Sequence, residues 1–184
     1  MRVTISSSSN DAISEEYKES ARKVCDYLAN NGCDLNWGSG SSSIMGICYQ
    51  EFSKYDRNVY GYTSPKYADD IENLPKAKHE IFDTTFDLKK NIFGDADFVV
   101  LLPGGTGTIS EFFAYLEEVR SNDIDKVLIL YNENHHFDST IALINDLVDR
   151  NFNSNTIHNY YRVANSFEEF IEIFNEIKIK RNSL

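Results

Sequence analysis

The run DFVVLLP, from Asp97 to Pro103, constrains the fold more than any other stretch of the chain. Phe98 to Leu102 are apolar without a break, and a strand places successive side chains on opposite faces. Such a strand has no face for water, so it belongs at the centre of a parallel sheet covered by helices on both sides. The surrounding chain supplies these partners. Short β-rich runs (RVTISS, DLNWG, NVYGYTS, HEIFDT, KVLILYN and YYRVAN) alternate with amphipathic segments. Helices are expected over SEEYKESARKVCDYLANNG, with Ser14 as N-cap and Gly32 as stop, and over SSIMGICYQEFSKY, FDLKKNIFGDA and STIALINDLVDR. Two more are expected from about Gly107 to Asn122 and from Ser166 onward, where Ser166 and Glu169 make an S-x-x-E capping box. Alternation at this spacing implies right-handed crossovers and an α/β fold: a doubly wound parallel sheet with helices on both faces. Ligands on such sheets bind beyond the carboxyl ends of the strands, where the strand order reverses.

At 184 residues the chain is expected to form one domain, 1–184. No apolar run approaches the ~20 residues of a spanning helix, so no membrane partner is expected. The start, MRVTISSSSN, is too short in apolar residues for a signal peptide, and Cys25, Cys33 and Cys48 form no CxxC; together these favour a reducing cytoplasm. A formal net charge of -11 disfavours nucleic acid, whose phosphates are neutralised by many Lys and Arg. A single small phosphate remains open, because backbone N–H groups at a helix start can hold one. Neither a metal nor a cofactor is expected. His135 and His136 read as a solvated loop pair, and His79 and His158 are isolated. Pro65 to Lys78, polar and with two prolines, reads as a surface excursion able to cover a site; its Asp69, Asp70 and Glu72 are read as solvated, with recognition of a base or ribose as the alternative. Asp95 and Asp97 read as punctuation around the central strand, and the tail EIKIKRNSL as a helix end.

Two glycine-rich turns follow strands. In GSGSSSIMG, Gly38 to Gly46, position 43 is serine and breaks the G-x-G-x-x-G spacing, so dinucleotide binding is weakly supported. The second turn is PGGTGTISE. There Pro103 ends the strand, Gly104 and Gly105 permit close backbone approach, and Gly107 and Thr108 open a helix whose first amides are free. That is a site for one phosphate, with the Thr106 and Thr108 hydroxyls as further donors. A P-loop would carry G-K-[ST], and no such Lys is present. Glu111 has two readings: the acid of a T-x-x-E capping box starting at Thr108, or a carboxylate one turn from the phosphate and within reach of its sugar.

PGGTGTISE resembles the PGGxGTxxE signature of the LOG family, the cytokinin riboside 5'-monophosphate phosphoribohydrolases once labelled lysine decarboxylases. GSGSSSIMG is similar to that family's GGGxxGLMG, and ISSSSND to its first-strand loop with CGSS, in the same order along nearly the whole chain. The resemblance implies a Rossmann-like homodimer that cleaves the N-glycosidic bond of a nucleoside monophosphate, releasing base and ribose 5-phosphate. It assigns the 5'-phosphate to Gly104, Gly105, Gly107 and Thr108, catalysis to Glu111, and the cleft lining to Ser8, Ser9, Gly40 and Met45. The family's RKxxM motif corresponds to DLKKNIF, which puts Leu88 where the family has a catalytic Arg and keeps Lys89 as the other catalytic candidate. Lys90 supplies charge only from another direction, and a Lys does not reproduce an Arg fork. A non-catalytic nucleotide-binding or sensing domain of the same fold is the other reading. Lysine decarboxylation is not expected, because nothing marks the Schiff-base Lys that such chemistry normally uses.

Overall fold

The computed structural model describes every residue except 123 and 184. Its elements in chain order are β1 (Arg2–Ser6), α1 (Glu15–Asn30), β2 (Asp34–Trp37), α2 (Ser43–Lys54), β3 (Val59–Thr63), β4 (Ala77–Ile81), α3 (Thr85–Gly94) and β5 (Phe98–Leu101). There follow α4 (Thr106–Asn122), β6 (Val127–Tyr131), α5 (Asp138–Asp149), β7 (Arg162–Ala164) and α6 (Phe167–Asn182). Short 3-10 helices span Pro65–Asn73 and Asn155–Tyr160. Among the described residues the seven strands form one sheet in the order β4-β3-β2-β1-β5-β6-β7, and all neighbours are parallel. The chain winds outward from β1 to β4, crosses to the other side of β1, and winds outward again from β5 to β7. The order reverses between β1 and β5, and that is where a doubly wound sheet opens a ligand crevice.

The central strand behaves as its composition requires. Phe98 and Val100 enter one core, packed with Ala21, Val24, Phe52 and Phe174, while Val99 and Leu101 enter a second core with Ile92, Phe112, Leu116 and Ile144. All four residues of β5 are 0% exposed. With ~25 cal/mol gained per Å² of apolar surface removed from water, this doubly covered strand anchors both layers.

Element ends depart from the expectation where local chemistry overrides apolar period. Strand β4 runs over Ala77–Ile81 rather than HEIFDT, because an edge strand needs only its ladder to β3, which starts at Val59 opposite Ala77. Helix α4 begins at Thr106, one residue early. Ser14 makes no side-chain cap bond, and the acidic Glu15 and Glu16 favour that helix start instead. The Ser166 hydroxyl accepts from the Glu169 N–H at 3.1 Å, but the Glu169 carboxylate takes the N–H of Asn165, so half of the expected box forms. Asp95 and Asp97 are more than punctuation: Asp95 accepts the Tyr62 hydroxyl at 2.7 Å, and Asp97 pairs with Arg181 of the tail.

Candidate functional site

The crevice beside β1 and β5 is stitched together by backbone bonds. The Ser8 N–H donates to the Pro103 carbonyl at 3.0 Å, and the Met45 N–H donates to the Ser8 carbonyl at 3.1 Å. The loop after β1 thereby ties the start of α2 to the turn after β5. Ser8 is buried in this joint and does not line the cleft.

In the second glycine turn the requirement is space rather than an unusual φ. Among the glycines described, Gly32 has the one positive φ, at 85°. A Cβ on Gly104 would come within 2.1 Å of the Thr108 hydroxyl oxygen and 3.1 Å of the Ser7 carbonyl carbon, so only glycine fits there. Cβ atoms on Gly105 or Gly107 would meet nothing within 4 Å, which leaves room beside the start of α4. The first intrahelical bond runs from the Ile109 N–H to Gly105. The amides of Thr106, Gly107 and Thr108 therefore precede the ladder, at the positive end of the helix dipole.

His136 corrects the solvated-pair expectation. His135 is exposed, but His136 is half-buried, with Nε2 at 3.1 Å from the Gly104 nitrogen and 2.8 Å from its carbonyl oxygen. Its ring meets Tyr17 edge-on at 5.6 Å. The histidine thus braces the glycine turn from behind.

Glu111 is not a cap. Thr108 is the third residue of α4 rather than its N-cap, so the T-x-x-E pattern has no box to close. The half-buried Glu111 side chain instead accepts a hydrogen bond from the Ser6 hydroxyl at the end of β1, 105 residues away in sequence. Burial raises its pKa; the Ser6 bond and the Lys89 charge pull it partly back. Lys89, on α3, donates to the Ser110 hydroxyl at 2.6 Å, while its neighbour Leu88 presents an apolar surface.

These elements enclose a cleft of about 820 Å³. Of the residues singled out from sequence, Ser9, Gly40, Met45, Lys89, Gly107, Thr108 and Glu111 line it. Gly104 is buried beneath it, and Gly105 and Thr106 are exposed at the helix start. In the first turn, Gly38 and Gly40 make room for Met45, whose Cε would lie 2.7 Å from a Cβ on Gly38. The polar excursion is not simply solvated. Lys66, Tyr67, Asp69 and Asp70 form part of the wall, and Asp70 accepts from the Ser41 N–H at 2.9 Å and its hydroxyl at 2.6 Å, which holds its pKa below the usual carboxylate range. Ser6 escaped the sequence reading, and Asp70 and His136, read there as solvated, take partners in the fold instead. A signal existed for Ser6, which ends β1 beside the reversal of strand order, whereas no local pattern marks the other two. Among the described residues no group of three or more His, Cys, Asp or Glu is placed to hold a metal ion, and no helix is long and apolar enough to cross a membrane.

A family model described as "Possible lysine decarboxylase" matches residues 45–181. The chain is 25% identical over 177 residues to a cytokinin riboside 5'-monophosphate phosphoribohydrolase of Arabidopsis thaliana, covering 95% of this chain and 83% of that one. It is 28% identical over 146 residues to the enzyme of the same name from Mycobacterium tuberculosis, covering 77% and 76%. Among solved structures, the molybdenum cofactor carrier protein of Chlamydomonas reinhardtii has the same fold at a TM-score of 0.69 and 12% identity, covering 97% of this chain and 98% of that one. The molybdenum cofactor binding protein of Rippkaea orientalis matches at 0.64 and 17% identity, covering 96% of each.

Proposed function

We propose that this chain, which belongs to the LOG family, hydrolyses the N-glycosidic bond of a nucleoside 5'-monophosphate to free base and ribose 5-phosphate. One observation carries the reading: Glu111, which has no capping role, points into the same cleft as the free amides that begin α4. A phosphate on the Thr106–Thr108 amides puts its ribose one helical turn away, at Glu111. As the C1'–N bond breaks, positive charge spreads over C1' and the ring oxygen, and a fixed carboxylate stabilises that state more than the ground state. The Ser6 bond keeps Glu111 aimed, and Lys89 is the second catalytic candidate through its charge. Ser9, Gly40 and Met45 shape the cleft around the nucleotide. We further propose that the protein works as a cytoplasmic homodimer, to be checked by analytical ultracentrifugation.

The test is incubation with a panel of nucleoside monophosphates and chromatography for released base. Release that is lost in Glu111→Ala supports the hydrolase. Leu88, at the position of the family's arginine, favours a second reading, a nucleotide-binding domain without turnover. Tight nucleotide binding with no base released from any member of the panel would establish that reading instead.

A further inference from the structure

Cleavage of an N-glycosidic bond makes demands at both ends of the bond: negative charge near C1', and a proton for the departing nitrogen when the base is neutral. The described lining of the cleft answers the first demand and not the second. Glu111 is one carboxyl, and spent as an acid it leaves no carboxylate for the sugar. Asp70 is held ionised by two hydrogen bonds from Ser41. The Tyr62 hydroxyl is committed to Asp95 at 2.7 Å. Lys89 is turned onto Ser110, and the wall beside it is Leu88 and Ile92. The other polar side chains of the lining are Lys66, Tyr67, Asp69 and Ser and Thr hydroxyls; the Lys66 ammonium lies over the Tyr67 ring, and the Ser39 hydroxyl is bonded to His79 Nδ1 at 3.1 Å. Apart from Glu111, the carboxyls of the described lining are Asp69 and Asp70 on the Pro65–Asn73 segment, and beside Lys89 the wall is the apolar Leu88 and Ile92.

We propose that the cleft is built for nucleoside 5'-monophosphates whose base is already cationic at the glycosidic nitrogen, such as pyridinium ribotides or purine ribotides alkylated at N7. This rests on the N-glycosidase reading above. The C1'–N bond breaks with both electrons going to the ring nitrogen, and the base departs neutral without taking up a proton. Water adds to C1', and its proton passes to the Glu111 carboxylate and then to solvent. Asp69 and Asp70 attract the cationic ring. The face of Tyr67 already accepts a cation, the Lys66 ammonium 5.2 Å from its centroid.

The full chain is assayed with nicotinamide mononucleotide, a pyridinium ribotide, and with AMP, by chromatography of the released base. Expected is a kcat/KM about 100-fold higher for the pyridinium substrate, the low end of what a general acid supplies to a neutral one. Its pH profile should show an acid limb from Glu111 and no alkaline limb. Leu88→His, which puts an imidazole able to donate a proton near neutral pH into the apolar wall, is expected to narrow the ratio by raising the AMP rate. AMP cleaved as fast as the pyridinium ribotide, or an alkaline limb with the latter, overturns this inference and leaves the N-glycosidase reading standing. Cleavage of no nucleotide at all overturns that reading, and this inference with it.

Discussion

The two glycine turns that face each other across the cleft look alike in sequence and solve opposite problems. In the turn after β5 the glycines serve close packing and open space, and none of them is left-handed. In the turn after β2 the left-handed residues are serines, Ser39 at φ 57° and Ser43 at φ 53°, both where the resembling motif has glycine. Glycine in a turn therefore does not by itself report a left-handed backbone. The difference extends to the carboxylate beside each turn. Glu111 is pushed toward the protonated form by burial, and Asp70 is held ionised by hydrogen bonds.

The largest expected effect separates those carboxylates by function. Glu111→Gln keeps the size and a hydrogen-bond acceptor for Ser6 but loses the charge, and turnover is expected to fall about 10³-fold, as when one preorganised charge-stabilising group is removed. Stability should move the other way. Burial penalises the charged form in the folded chain, so Glu111 destabilises increasingly as pH rises through its raised pKa. The Gln variant should therefore unfold no earlier than the parent at neutral pH, and the difference should close on acidification. Thermal melts across pH, paired with base-release assays, check both halves. Lost turnover with a large loss of stability at neutral pH would make Glu111 structural.

Next come the glycines that cannot take a side chain, one in each turn. A Cβ at Gly104 meets Thr108, and one at Gly46 comes 2.2 Å from the Ser41 carbonyl oxygen. Gly104→Ala and Gly46→Ala are each expected to cost about 2 to 3 kcal/mol as overpacking, while Gly105→Ala, in open space, stays within about 0.5 kcal/mol. Urea midpoints at constant m value measure all three. Equal effects at Gly104 and Gly105 would mean that the turn can relax.

Asp70→Asn gives a smaller effect with a defined pH window. Two hydrogen bonds to a carboxylate that Asn satisfies less well make the loss about 1 kcal/mol. A lowered folded-state pKa means that this stability is present above the ordinary carboxylate range and lost as pH falls through the lowered value. The variant and parent should thus converge in acid. Parallel denaturation curves that stay apart at low pH would break the contrast with Glu111.

How much of this was legible in the sequence follows from how local each feature is. The unbroken apolar run in β5 announced a doubly covered central strand, and the alternation around it announced the sheet. GGTGT marked the free helix start, since its three glycines and two threonines act within five positions of one another. Partnerships made across the fold left no such mark. The Ser6–Glu111 bond spans 105 residues, Asp70 reaches back to Ser41, and His136 reaches back to Gly104. Each depends on where a strand end or loop finally packs, which periodicity does not encode. Capping-box logic misled at Glu111 because the helix started two residues before the Thr it would have used.

The smallest effect tests the turn comparison most directly, because it asks for opposite signs from one substitution. At position 43 the left-handed backbone disfavours any Cβ by about 1 kcal/mol. The serine offsets this with an N–H bond to Asp11 at 2.8 Å and a hydroxyl bond to the Asn10 carbonyl at 2.9 Å. Ser43→Gly keeps the first bond, loses the second and relieves the strain, so it should be close to neutral. Ser43→Ala loses the hydroxyl bond and keeps the strain, so Gly should exceed Ala there by about 1 kcal/mol. At Gly107, inside the first turn of α4 with nothing near a Cβ, Ala should exceed Gly by up to about 1 kcal/mol, because glycine loses more chain entropy in a helix. Calorimetric midpoints of the four proteins decide it: the Gly-to-Ala difference must be destabilising at 43 and stabilising at 107. The same sign at both positions would mean that the two turns share one backbone requirement, and that the serines at 39 and 43 carry no strain.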